Sequence, residues 1–160
     1  MKQVNKYKSD SKEVIVLVLK YLSENNENFR FCISKEIFLD LYLVDDKKIT
    51  EINFKYRNKK EPTNVLSLAY FSAEDFNKDF TAPIHLGEIF ISMETLAKES
   101  LEQKVLIEHH YFRLLIHGVL HLLGFDHNLE NEAVLMYNTE ENILHKLELS
   151  TNSIVSNYWR

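Results

Sequence analysis

Three histidines in the C-terminal half of the chain have a spacing that suits a shared metal ion. His117 and His121 lie four residues apart, and His127 follows six residues later. On a helix, side chains four residues apart project from one face, one turn apart, so both imidazoles can reach one ion. Gly124 then supplies a residue that can end the helix in a left-handed conformation and turn the chain. We therefore predict that all three histidines bind one metal.

The three imidazoles and the residue that follows the first histidine limit the reactions that this site can catalyse. Three neutral imidazoles leave the fourth tetrahedral position of zinc to water, which is typical of a catalytic site. The spacing matches that of the metzincin peptidases, including the glycine. Zinc peptidases, however, carry glutamate directly after the first histidine as the base, and this chain has Gly118 there. We expect one zinc ion, with nickel as the alternative metal, and peptide hydrolysis by the usual route is disfavoured.

The run at 117–127, HGVLHLLGFDH, closely resembles the hallmark of the YbeY family of bacterial endoribonucleases, also called rRNA maturation factors. Two further segments support the resemblance: RNKKEPTNVLS at 57–67 and LGEIFIS at 86–92. In the second of these, Glu88 stands where the family usually has aspartate, which keeps the carboxylate. The resemblance extends over roughly 41–147 with the segments in matching order.

The resemblance implies an α+β metal-binding fold, zinc at the three histidines and cleavage of single-stranded RNA. It also implies a role in maturing the 3′ end of small-subunit rRNA and in ribosome quality control. The family's functionally important arginine matches Arg57, so we expect Arg57 and His117 to be catalytic. A guanidinium matches phosphate oxygens with a planar fork of donors. The alternative for Arg57 is a solvated surface arginine, and Lys55, Lys59 and Lys60 are candidate contacts to the RNA backbone.

Other polar residues near these motifs allow more than one interpretation. Asp126 is either a carboxylate that orients a zinc-bound imidazole or a turn residue after the helix. His110 is expected to be a partly exposed helix residue, and Glu88 is the nearest candidate for a general base from another segment. Met136 falls where a Met-turn would be sought, but the pattern around it indicates a core residue in a helix.

The elements that must position these residues can be read from hydrophobic periodicity. We predict strands at 36–44, 65–71 and 88–92, helices at 47–56, 94–99, 103–123 and 130–149, and a loop at 72–86. The segment at 11–25 fits a helix or a strand. Strands that alternate with helices early and helices that dominate late indicate an α+β fold. It would be a small mixed sheet with helices packed on it and the three-histidine site at the end of the long helix.

Length and composition indicate one domain over residues 1–160. The chain is 45% hydrophobic and 27% charged, with three glycines and two prolines, which leaves no linker. The apolar run at 14–19 is too short to span a bilayer. A single cysteine, Cys32, excludes an internal disulfide and favours a reducing compartment, so we expect a buried thiol in a cytoplasmic protein with no membrane contact.

The charge of the chain is unevenly distributed. The net charge is −5, yet 47–60 has six basic residues against one acid, and 130–148 has five acids against one lysine. We expect the basic segment to meet single-stranded RNA or rRNA. The acidic segment is either an ordinary solvated helix face or a surface for the small ribosomal subunit or its basic proteins. Two alternative functions remain: a zinc-stabilised ribosome-assembly factor without catalysis, and a zinc peptidase that takes its base from elsewhere.

Overall fold

A computed structural model describes residues 2–72, 75 and 83–150, and the side chains of all of these except 2–9 and 148–150. Within these ranges it has six α-helices and three β-strands. The helices are α1 (Lys2–Asn25), α2 (Phe31–Ser34), α3 (Asp46–Arg57), α4 (Met93–Gln103), α5 (Ile107–Leu122) and α6 (Glu130–Ser150), and the strands are β1 (Ile37–Val44), β2 (Val65–Ala69) and β3 (Ile84–Ser92). The predicted α+β class is confirmed.

The three strands form one mixed sheet in the order β1-β3-β2. β1 runs parallel to β3, with Leu41 opposite Ile89, and β2 runs antiparallel to β3, with Ser67 opposite Ile89. Because side chains alternate between the two faces of a strand, β3 contributes to two cores. Ile89 and Ile91 face the large core with α5, whereas Phe90 packs with Leu66 against α3.

Helix α5 is the central element of the large core. Ten of its residues are buried, and its apolar side chains pack against the sheet, α1 and α6. Leu115, Ile116, Val119 and Leu120 are all completely buried. Removing that much apolar surface from water is the main favourable term in folding, so the helix that carries the first two histidines is held rigidly.

The segment that fitted either a helix or a strand is helical. Val14, Val18 and Leu22 recur every four residues along α1, and all three are buried in the large core. Tertiary packing therefore outweighs the preference of the β-branched valines for strands. Two smaller predictions are also confirmed: Cys32 and Met136 are buried core residues.

Helix α3 begins one residue earlier than predicted, and its N-cap is Asp45 rather than Asp46, the residue before the predicted start. The Asp45 carboxylate accepts a hydrogen bond from the backbone N–H of Lys48 at 2.7 Å. Asp46 instead accepts hydrogen bonds from the hydroxyls of Ser92 (2.5 Å) and Thr95 (2.6 Å). The start of α3 is thereby tied to the junction between β3 and α4.

The helices predicted at 94–99 and 103–123 are both present, but the break between them lies at 104–106 rather than at 100–102. α4 continues to Gln103, and Lys104 then adopts a left-handed conformation with φ of 57° before α5 begins at Ile107. A lysine gives no sequence signal for such a break, because glycine is the residue expected there. β3 is also longer than predicted, since it begins at Ile84; most of the loop predicted at 72–86 lies outside the described residues.

Over the part of the chain that the structure describes, no helix has the length and apolar character needed to cross a membrane.

Candidate metal centre and cleft

The end of α5 and the turn after it place the three histidines together. His117 and His121 occupy the last two turns of the helix, and both are partly buried. Gly124 has a φ of 86°, in the left-handed region that favours glycine. Its N–H donates to the carbonyl of His121 at 3.1 Å, and the N–H of Phe125 donates to the carbonyl of Leu120 at 3.0 Å. This closed turn directs the exposed His127 back towards the helix.

The three imidazoles are close enough to share one ion. One ring nitrogen of each histidine can be chosen so that all three lie within 4.8 Å of one another. The Nε2 atoms of His117 and His121 are 3.0 Å apart. Two nitrogens bound to one tetrahedral zinc ion at the usual bond length would be about 3.3 Å apart. The donor set therefore fits a small cation, and the cluster could hold a metal.

The opposite ring nitrogens show why a cation suits this place. Nδ1 of His117 lies 2.6 Å from Oε1 of Glu140, and Nδ1 of His121 lies 2.9 Å from the carbonyl oxygen of Phe125. Both partners are acceptors, so each Nδ1 carries the hydrogen and donates it. In the neutral rings both Nε2 atoms are then left with lone pairs that face each other. Two such lone pairs repel unless a positive charge lies between them.

The surroundings of His121 favour its neutral, ligating form. Burial, followed by the neighbouring charge of His117, lowers the pKa of His121 from 6.5 to about 4. The hydrogen bond to the Phe125 carbonyl acts in the opposite direction but is the smaller effect. Near neutral pH the ring therefore keeps a lone pair available, which metal ligation requires.

Glu140 is a site residue that sequence reasoning missed. The acidic segment at 130–148 was expected to be a solvated helix face or a surface for a partner. Glu140 is instead only 7% exposed, and it accepts the hydrogen bond of His117. A carboxylate behind a metal-binding imidazole fixes the ring and raises its basicity. The available signal was position: Glu140 lies within the apolar stripe of α6 that includes Met136, Ile143 and Leu144.

Asp126 is a turn residue rather than a carboxylate that orients an imidazole. One of its carboxylate oxygens accepts the backbone N–H of His127 at 2.8 Å, and the other accepts the side-chain amide of Asn128. The ring of His121 is oriented by the Phe125 carbonyl instead. The carboxylate thus supports the turn that delivers His127, and this explains its place between the glycine and the last histidine.

A cleft of about 910 Å³ opens in front of the histidines. The end of α3 and the segment that leads into β2 form another wall of the cleft, which contributes Arg57 and Lys59. The remaining described lining residues are mostly small or polar: Thr63, Asn64, Val65, Ser67, Gly124, Phe125, Asp126 and Asn128. Two cationic side chains and three imidazoles thus line the same cleft, which suits an anionic ligand.

Several other predicted site residues lie away from the cleft. Lys55 and Lys60 rest over the rings of Tyr56 and Phe54, at 4.8 and 4.9 Å from the ring centroids. Neither lysine is among the described residues that line the cleft. The same is true of Glu88, which lies on β3 opposite Asp40 and Leu68. The structure therefore does not bring the candidate base to the histidines.

His110 was expected to be partly exposed, and that prediction is wrong. Its exposure is 5%, and its Nε2 lies 2.7 Å from Oε2 of Glu99 on α4. The helix position alone did not reveal this, because the neighbouring α4 covers that side of α5. The polar partner explains how a histidine is accommodated there.

Gly118 allows α5 to approach the sheet closely beside the metal centre. A Cβ atom at this position would lie 3.1 Å from Cγ2 of Ile89 and 3.1 Å from Oγ of Ser67. The Ser67 hydroxyl also donates to the Gly118 carbonyl at 3.2 Å. The residue after the first histidine therefore faces β2 and β3, and a glutamate side chain would not fit there without displacing the helix.

Comparisons with known proteins agree with this geometry. The family model described as Endoribonuclease YbeY matches residues 1–148. A protein named Endoribonuclease YbeY from Anaplasma marginale (strain Florida) is 40% identical over 125 residues, covering 74% of this chain and 76% of that protein. One of the same name from Prochlorococcus marinus (strain MIT 9515) is 41% identical over 129 residues, covering 79% and 71%.

A solved structure is similar at the level of the fold. It is the solution structure of TM1509 from Thermotoga maritima, with a TM-score of 0.62 and 20% sequence identity over 93% of this chain and 86% of that one. The family itself is shown by the match over nearly the whole chain and by the relatives at about 40% identity. The three converging histidines thus sit in a chain that belongs to the YbeY family of endoribonucleases.

Proposed function

We propose that this chain is a single-domain, zinc-dependent endoribonuclease that cleaves single-stranded RNA. The observation that supports it most directly is the pair of Nε2 atoms of His117 and His121, 3.0 Å apart, with both Nδ1 atoms committed as donors. We assign one zinc ion to these two residues and His127. Zinc in such a site supplies Lewis-acid chemistry for hydrolysis of a phosphodiester.

The roles of the chain's own residues follow from their places in the cleft. Arg57 binds the phosphoryl oxygens of the scissile group, because its fork of donors matches them and stays charged, and it offsets the negative charge that develops in the transition state. Lys59 holds a neighbouring phosphate as a point charge. His117 acts at the reacting centre as a ligand whose orientation Glu140 fixes.

The cleft contains little that would support a peptidase. The position that carries the base in zinc peptidases is Gly118, which faces the sheet. Among the described residues that line the cleft, Asp126 is the one carboxylate, and its two oxygens already accept hydrogen bonds within the turn. A cationic wall in the same cleft as a metal centre suits a polyanion better than a peptide.

The biological role we propose is maturation of the 3′ end of small-subunit rRNA and quality control of ribosomes in the cytoplasm. Membership of the endoribonuclease family supports the processing role. A buried cysteine, Cys32, whose pKa burial raises to about 12, is compatible with a reducing compartment because its thiol stays protonated.

The test combines metal analysis with a cleavage assay. Purified protein is analysed for its metal content, and cleavage of a labelled single-stranded RNA is followed before chelation, after chelation and after zinc or nickel is restored. We expect about one zinc ion per chain, loss of cleavage on chelation, and recovery with zinc. A His121→Ala variant controls for a contaminating nuclease; cleavage at the wild-type rate by that variant would refute the proposal.

A second candidate, a zinc-stabilised assembly factor without catalysis, is favoured by one surface. The outer side of α6 exposes Val134, Leu135 and Tyr137 at 54%, 59% and 59% beside acidic residues, which suits a basic protein of the small ribosomal subunit. Under this alternative, Leu135→Ser would weaken binding to the small subunit, while the zinc-loaded chain would show no RNA cleavage. Cleavage that depends on zinc excludes it.

A further inference from the structure

A partly buried polar chain connects the metal-binding helix to the wall of the cleft that lies before β2. Nε2 of His110 on α5 lies 2.7 Å from Oε2 of Glu99 on α4. Both oxygens of that carboxylate accept hydrogen bonds from the side-chain amide of Asn64, at 3.1 and 3.0 Å. Asn64 lines the cleft just before β2. Three residues from three separate elements thus link α5 to the wall that carries Arg57.

The side chain of Asn64 holds its own segment in place. Besides the two bonds to Glu99, its Oδ1 accepts the backbone N–H of Val65 at 2.7 Å. The backbone carbonyl of Asn64 accepts the N–H of Ser92 at the end of β3, at 2.9 Å. The side chain therefore acts as an anchor for the segment that forms this part of the cleft lining.

A second anchor holds the same segment from the other side. Asn53 is 2% exposed on the inner face of α3, and its amide donates to the backbone carbonyl of Glu61 at 2.9 Å. The chain between Arg57 and Asn64 is therefore fixed at Glu61 and again at its end. Lys59 and Thr63, which line the cleft, lie within this doubly fixed stretch.

The Asn64 anchor depends on a polar pair, His110 and Glu99, whose burial must be explained. His110 and Glu99 have side-chain exposures of 6% and 25%, and an apolar pair could fill the same space at a lower desolvation cost. A carboxylate provides directional hydrogen bonds, because it accepts from the Asn64 amide and from the His110 imidazole simultaneously. Such a bridge sets the position of one wall relative to the other more narrowly than apolar packing does.

We infer that Glu99 and His110 are positioning residues for RNA binding, which act through Asn64 to hold the Arg57 wall at a fixed distance from the metal centre. The inference rests on the proposed function, because it assigns phosphate binding to that wall. Neither residue touches the RNA. A displacement of about 1 Å in a binding group far from the chemistry lowers activity by as much as about 100-fold, so a small relaxation of the wall is sufficient for a measurable effect.

The test is Glu99→Gln, since the substitution replaces one acceptor oxygen with an NH2 donor, which would face either the side-chain NH2 of Asn64 or Nε2 of His110. The matched control is Glu102→Gln, an exposed residue on the same helix. Binding to zinc-loaded protein is measured with a phosphorothioate single-stranded oligoribonucleotide that resists hydrolysis, and zinc affinity is measured with a competing chelator dye. We expect Glu99→Gln to weaken oligonucleotide binding about tenfold, with zinc affinity unchanged in both variants.

Further variants separate positioning from a general loss of stability. If Glu99 acts through Asn64, adding Glu99→Gln to Asn64→Ala will weaken binding no further. If Glu99→Gln does not fold, His110→Leu replaces it in the same measurements, and His110→Gln, which restores a donor, is expected to recover binding. Oligonucleotide binding is measured independently of cleavage. If the wild-type protein binds the oligonucleotide but cleaves no RNA, the result counts against the proposed function alone, and the inference can still be tested.

The inference is overturned by any of three results: Glu99→Gln binds as tightly as Glu102→Gln, its effect adds in full to that of Asn64→Ala, or zinc affinity falls together with RNA binding.

Discussion

Nδ1 of His117 and Oε1 of Glu140 are 2.6 Å apart, although the two residues are separated by 23 positions and lie on different helices. The bond makes α6 a part of the candidate metal centre. Because the carboxylate is buried, it cannot exchange this partner for water. The His117 ring is therefore held with Nε2 directed towards His121, before any metal arrives.

We expect Glu140→Gln to weaken zinc binding by about 10- to 100-fold, as loss of a carboxylate behind a metal-bound imidazole does elsewhere. The amide is a poorer acceptor, so the ring loses both orientation and basicity. Zinc affinity is measured by competition with a chelator dye. Glu141→Gln, at the next residue of α6, removes the same charge from a carboxylate that pairs with Arg113, so this control should bind zinc normally. Equal affinities for the two variants would contradict this role for Glu140.

Arg57→Lys should lower kcat/KM for single-stranded RNA by about 100-fold while zinc content stays at the wild-type level. Lysine keeps the positive charge but loses the planar fork of donors, so the variant separates shape from charge. Arg57→Ala should be no more active than the lysine variant. Steady-state cleavage and elemental analysis provide the two measurements. Full activity of Arg57→Lys would mean that charge alone is sufficient at this position.

Sequence alone predicted the parts of the site whose geometry is local. The helical spacing of His117 and His121 and the turn at Gly124 determine where the three rings go, and the structure brings them together. Glu140 and His110 could not be assigned in the same way, because their partners come from other helices. Packing between elements decides whether a charged residue faces solvent or a neighbour.

The same contrast between local patterns and contacts with distant elements applies to the fold. The class and the strand locations followed from hydrophobic periodicity, whereas the exact position of the break between α4 and α5 did not. Lys104 ends α4 in a left-handed conformation that glycine would have signalled. The buried residues of α3 are Ile49, Ile52 and Asn53. The side-chain amide of Asn53 donates to the Glu61 carbonyl, whereas the neighbouring apolar residue, Phe54, is 45% exposed. A buried asparagine with a backbone partner in a later loop has no signature in the pattern of α3.

Gly118→Ala should destabilise the protein by about 1–3 kcal/mol, the usual cost of adding a methyl group to a packed interior. The new Cβ would come within 3.1 Å of Ile89 and of the Ser67 hydroxyl, so these side chains or α5 must shift by a few tenths of an ångström. Urea denaturation gives the free energy of unfolding. Combining the change with Ile89→Val, which removes one of the crowded atoms, should recover part of the loss. Unchanged stability would show that this shift occurs without cost.

The metal-free protein should lose stability as the pH falls from 7 towards 4, in part because of His121. In the unfolded chain this histidine titrates near its ordinary value of 6.5, whereas in the folded protein burial lowers its pKa to about 4. Between these values the unfolded state binds a proton that the folded state does not, so the free energy of unfolding decreases with falling pH. Below about pH 4 both states are protonated and this contribution stops changing.

The measurement is a series of urea denaturation curves between pH 7 and pH 5 in the presence of a chelator, a range in which most carboxylates stay ionised. His121→Asn should show a shallower dependence than the wild type, by up to one proton. Identical slopes for the wild type and His121→Asn would mean that the His121 ring is protonated in the folded, metal-free protein as readily as in the unfolded chain, and that burial does not keep it ready for the metal.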